Sequence, residues 1–144
     1  MRAKQIHEER GQKTFALVFD TDDEVVAGLT NFAKESHLSA AGLTAIGAFR
    51  EATLGYFDWE RKEYDEIPVE EQVEVLSLVG DIALKDEEPQ LHAHAVLGRR
   101  DGSTVGGHLL EAYVRPTLEI VLTESPEHLR KRTDEETGLA LIEL

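Results

Sequence analysis

Leu91 to Glu124, LHAHAVLGRRDGSTVGGHLLEAYVRPTLEIVLTE, is the stretch whose reading decides the fold. His92 and His94 are two apart, so in a β-strand they share one side while Leu91, Ala93, Ala95 and Leu97 take the other. Arg100-Asp101-Gly102 fits a three-residue hairpin loop, a type I turn with glycine where positive φ is required. That loop sets Arg99 opposite Ser103, and counting back along both arms puts His94 opposite His108, with His92 as the diagonal neighbour. A one-residue bulge at Gly106-Gly107 would instead turn His108 away. Three imidazoles on one hairpin face can give three nitrogens to one cation at about 2.0–2.1 Å each and leave a fourth position open. Half of the six histidines fall on this face, which favours a metal or anion site over an ordinary solvated sheet face.

The rest of the composition narrows the chemistry. With 144 residues, 41% hydrophobic and 31% charged, the chain suits a single domain over residues 1–144 with a sizeable core. No apolar run is long enough to span a bilayer, and the start, MRAKQIHEERGQKT, has no apolar signal core, so a cytoplasmic protein without a membrane partner is expected. Cysteine is absent, which excludes disulfides, thiol catalysis and thiolate ligands; a transition metal must be held by histidine and carboxylate. The net charge of −14 should repel a phosphate backbone, and DNA binding is doubtful on that ground. The basic clusters, Arg99-Arg100 and Arg130-Lys131-Arg132, are short enough to be solvated patches.

Outward from the hairpin, KTFALVFD (Lys13 to Asp20) reads as a strand. Thr21 with Glu24 reads as a capping box, opening a helix to about His37 with Val25, Val26, Leu29, Phe32 and Ala33 as its apolar stripe. Leu38 to Asp58 suggests two glycine-punctuated strands, and Arg61-Lys62-Glu63 the tip of a hairpin. Val73 to Leu84 is strongly strand-like, with Glu74 inside it; Lys85 to Gln90 reads as a turn. Arg115-Pro116 breaks the strand after the hairpin, and Thr117 to Thr123 resumes it with Glu119 on the polar side. Ser125-Pro126 reads as an N-cap and first turn, predicting a short charged helix to about Glu136, followed by LALIEL as a final strand. The expected class is α+β: a mostly antiparallel, barrel-like sheet with one main flanking helix and a short second helix.

The order of these segments resembles the PPC domain, the plants and prokaryotes conserved family, over essentially the whole chain. The resemblance is carried by LSAAGLTAIGAFREATLGYFD, VEVLSLVGDIAL and the histidine stretch. It implies a mostly antiparallel sheet with a flanking helix, assembled as a homotrimer, and a metal, usually zinc, at the positions of His92, His94 and His108. Acetolactate decarboxylases, with similar folds, hold zinc with three histidines. Plant members carry an AT-hook that grips DNA; this chain has no Arg-Gly-Arg-Pro hook and no basic tail.

The first functional reading is therefore a stand-alone, homotrimeric, zinc-binding module whose three-histidine site holds a small anionic ligand. The second is a zinc-dependent enzyme acting on a small keto or hydroxy acid, with Glu74 or Glu119 as acid/base or supporting groups and Arg115 as the anion contact. The third is a DNA-binding regulator, suggested by the family alone.

Overall fold

Alternating burial gives nine strands and one helix in the computed structural model, which describes residues 1–143. In order they are β1 (Arg2–Glu9), β2 (Gln12–Asp20), α1 (Val25–Glu35), β3 (Ala40–Asp58), β4 (Glu63–Val69), β5 (Val73–Lys85), β6 (Glu88–Gly98), β7 (Thr104–Glu124), β8 (Arg130–Thr133) and β9 (Ala140–Glu143). β3 and β7 run 19 and 21 residues, roughly three to four times the ordinary strand length, and pair with each other antiparallel along most of it. β6 pairs with both β5 and β7, and β3 with β5 and β7. These four strands thus close into a ring of hydrogen-bonded neighbours. β1 and β2 continue outward from β7, β4 from β3, and β8 and β9 from β5. The architecture is a mixed sheet with a partial ring, from which five strands extend. Every named pair is antiparallel except the Leu84–Arg130 bridge between β5 and β8.

The core follows from the period-2 pattern. Leu54 of β3, Leu78 and Ile82 of β5, Leu97 of β6, and Leu118, Ile120 and Leu122 of β7 are buried in one cluster with Leu17 and Phe19 of β2. Helix α1 lays Val25, Leu29, Phe32 and Ala33 on it, and Phe32 meets Phe15 edge-on with ring centroids 5.3 Å apart. The cap is Glu24, not the expected Thr21. Its carboxylate accepts from the backbone of Val26 at 3.0 Å and Ala27 at 2.5 Å, while Thr21 donates to the Pro116 carbonyl. Glu24 Oε1 also accepts from Ala112 N at 3.2 Å, so one carboxylate satisfies orphan helix donors and ties the helix to β7.

Three other expectations need correction, and one strand lies where no element was expected. The two strands expected over Leu38 to Asp58 are the single strand β3, Ala40–Asp58, with Gly47 absorbed by register shifts against β5 and β7. Pro116 does not end β7, because the register against β3 shifts between Gly47 and Phe49 and no ladder donor is demanded of it. The opening residues form β1, which is exposed throughout and so shows no apolar alternation. The second helix is not there: from Ser125 the chain follows the sheet, with Leu84 N donating to Leu129 O at 2.8 Å and Leu129 N to Ser39 O at 3.2 Å. It then pairs as β8 with β9. That segment has no apolar stripe to dock a helix, so start and stop signals could not carry it.

Candidate metal centre

The histidine hairpin has the register that its loop requires. Gly102 sits at φ +84°, Arg99 N donates to Ser103 O at 2.8 Å, and the β6–β7 pairing sets His94 opposite His108. Ala95–Gly107 and Val96–Gly106 continue the ladder without a bulge. Gly107 is needed for close approach, since a Cβ there would stand 2.8 Å from Gly55 O. Gly55 in turn faces His108 across the β3–β7 pair, and a Cβ on it would collide with the Tyr64 ring at 2.8 Å. Backbone glycines thus bring β3, β4 and β7 together beneath His108.

One ring nitrogen from each of His92, His94 and His108 lies within 4.8 Å of the other two. The rings face one another with centroids 5.1 to 5.2 Å apart. A tetrahedral ion bound at about 2.0–2.1 Å sets pairs of its nitrogens roughly 3.3 Å apart. The Nε2 atoms of His92 and His94 are 3.2 Å apart, so this pair already has the bite of a metal site. His108 Nδ1 is buried with no hydrogen-bond partner among the described residues, an imidazole whose capacity the protein itself leaves unused. Burial, reinforced by the neighbouring His92, His94 and Lys131, pushes His108 down to about 4. Burial and then His92 also lower His94. A histidine below its ordinary value is neutral at pH 7 and presents a lone pair, the state a metal requires. The residues fit a divalent ion held by three imidazoles.

Supporting groups that the sequence reading did not find surround the triad. Asp81 of β5 pairs with His92 in the β5–β6 register, and its Oδ2 lies 3.3 Å from His92 Nδ1. A carboxylate on the second nitrogen fixes which tautomer faces the site and raises ligand basicity. Asp81 Oδ1 is 2.7 Å from the ammonium of Lys131 in β8. That contact is an ion pair by distance but lies off the hydrogen-bonding direction, and Oδ1 has no hydrogen bond. Tyr64 of β4 stacks on His108 at 4.7 Å with 27° between the planes, and burial holds its phenol above the ordinary range.

The expected acid–base and anion-contact residues are not brought to the histidines. Glu74 pairs with Gly98, four positions past His94 and roughly 13 Å along β6. Glu119 and Arg115 are eleven and seven positions beyond His108 on β7, roughly 36 and 23 Å along the strand. Glu74 and Glu119 share a separate shallow hollow with Ile46, Leu76 and Thr117. A strand converts sequence separation directly into distance, and that places all three away from the site.

A family model described as the Plants and Prokaryotes Conserved (PCC) domain matches residues 6–126. The structure is similar to a plant- and prokaryote-conserved protein from Pyrococcus horikoshii, at 36% identity, TM-score 0.85 and 91% coverage of each chain. It is similar to a metal-containing protein from Archaeoglobus fulgidus, at 38% identity and TM-score 0.84, over 98% of this chain and 100% of that one. A candidate DNA-binding protein from Ralstonia eutropha JMP134 matches at 31% identity and TM-score 0.84, with 90% of each chain covered. No curated protein matches the sequence.

Proposed function

Because the chain belongs to the Plants and Prokaryotes Conserved domain family, we propose that it is a metal-binding module of that family, holding one divalent ion on His92, His94 and His108. The observation that carries this is the convergence of three imidazole nitrogens within 4.8 Å, with Asp81 behind His92. Zinc is the ion of choice, since neutral imidazoles are borderline ligands and no thiolate competes. Such a set leaves a coordination position for a small anion. Binding is placed ahead of catalysis because Glu74, Glu119 and Arg115 stand away from the triad.

The module assembles with copies of itself, as a homotrimer. Support comes from the outer sheet face, where Ile46, Leu76, Val79 and Val121 are 64, 53, 49 and 49% exposed on adjoining strands. An apolar face of this kind marks an interaction surface. Light scattering on the purified protein tests it, and a monomer mass would remove the assembly.

Metal analysis of protein purified without a histidine tag tests the central claim. About one ion per chain is expected, and His94→Ala should lose most of it with little change in melting temperature. Full occupancy in both His94→Ala and His108→Ala would overturn the site.

A further inference from the structure

Beside the triad is a hollow of about 180 Å³ walled by Tyr64, His92, His108 and Lys131, with Gln90 and Leu141 completing it. Lys131 comes from the C-terminal hairpin β8–β9, beyond residues 6–126 that the family model matches. Its side chain is only 2% exposed. A buried ammonium is retained only where charge and hydrogen-bond acceptors meet it. The facing oxygen, Asp81 Oδ1, meets it at 2.7 Å, and an ammonium has three donors, so one carboxylate oxygen does not exhaust its capacity. Gln90 Oε1 is buried and unpartnered. The hollow therefore presents a cation and the Gln90 side chain next to two of the metal-ligating histidines.

Charge balance points the same way. Lys131 and Asp81 cancel, and three neutral imidazoles contribute nothing, so a bound divalent ion leaves the site doubly positive and without a counter-charge. At about 30 Å³ per water-sized volume, the hollow takes roughly six non-hydrogen atoms. Leu91, Leu139 and Leu141 give it an apolar side.

Resting on the metal reading, the geometry points to this hollow as the subsite for a short-chain carboxylate with a second polar group, its charge met by Lys131 and that group by Gln90. The β8–β9 hairpin is then the specificity element of the site, and Lys131 is a ligand-binding residue.

Lactate has six non-hydrogen atoms and serves as the probe, with lactamide as its neutral counterpart. The protein is loaded with Co²⁺, whose visible spectrum reports both occupancy of the site and changes at the ion. Lactate should shift the wild-type spectrum and lactamide should not. Lys131→Met should keep the Co²⁺ spectrum and bind lactate about 10- to 100-fold more weakly, the range for losing a charge-assisted hydrogen bond. Ala140→Phe, which fills the hollow from β9 and leaves the ion pair alone, should also retain Co²⁺ and lose the lactate shift. It decides the matter if Lys131→Met does not fold. A normal Co²⁺ spectrum that lactate leaves unmoved, or that lactate and lactamide move equally, overturns this inference alone. So does lactate binding within twofold of wild type in the soluble variants. No Co²⁺ spectrum in the wild type overturns the metal reading, and this inference with it.

Discussion

Asp81 Oδ2 lies 3.3 Å from His92 Nδ1, which sets a β5 carboxylate beside one nitrogen of a β6 imidazole whose other nitrogen faces His94. Replacing it with asparagine keeps the shape and removes the charge. Asp81→Asn should weaken binding of a divalent ion by about 10- to 100-fold, the usual effect of losing such a partner. It also leaves Lys131 without its counter-charge. Because Asp81 is 29% exposed, the cost in stability should be on the order of 2 kcal/mol, below the 3–5 of a fully buried pair. Competition against a chelating dye and urea denaturation measure the two effects separately.

Glu24 provides the contrasting case, a carboxylate that serves the fold and not the site. Glu24→Ala removes the acceptor shared by Val26, Ala27 and Ala112, and should cost about 1–2 kcal/mol. Metal content should stay at wild-type level. A variant that lost metal in proportion to stability would show that site and helix dock as one unit.

The metal-free protein should lose stability in mild acid through His108. Its folded value is pushed down to about 4, against about 6.5 in an unfolded chain. Between those values the unfolded state takes up the proton and the folded state resists it, so stability falls as pH drops from about 6.5 toward 4 and is unaffected by this group above that window. Denaturation across that range, compared with His108→Gln, checks the sign: the variant should show a shallower decline. A steeper decline in the variant would contradict it.

Attraction to DNA should be weaker than ordinary non-specific binding, whose dissociation constants are about 10⁻⁴ to 10⁻⁶ M. The net charge is −14, and Arg99 is already engaged by Glu71 at 2.9 Å in a hollow that also holds Glu74 and Arg100. The Debye length of about 8 Å at physiological salt shields that field only in part. Fluorescence anisotropy with an AT-rich duplex decides it. Micromolar binding with a steep salt slope, abolished by Arg99→Ala with Arg100→Ala, would restore DNA as a partner.

The histidine triad was legible in the sequence because each step toward it is local. Strand period, loop length and Gly102 together determine that His94 faces His108. Asp81, Tyr64 and Lys131 were not legible, since they arrive from β5, β4 and β8 through long-range pairing, whereas Gln90 lies two residues before His92 on β6 and was hidden by reading Lys85 to Gln90 as a turn. Of these, Lys131 was obscured twice, by a helix start signal at Ser125-Pro126 and by two flanking arginines that made it look like part of a solvated patch. Glu74 and Glu119 failed for the opposite reason: carboxylates within strands drew attention, but the register carries them along the strands away from the hairpin.

The closed circuit of β3, β5, β6 and β7 has a consequence for how metal is taken up. His94 and His108 are paired on both sides and His92 with Asp81 of β5, so their spacing is maintained by the backbone and not by the ion. Loading the site therefore requires little ordering of the chain, and emptying it does not unfold the protein. A small metallodomain that folds only around its ion holds it all or nothing. Here occupancy by the proposed ion should rise and fall with its supply while the protein remains folded.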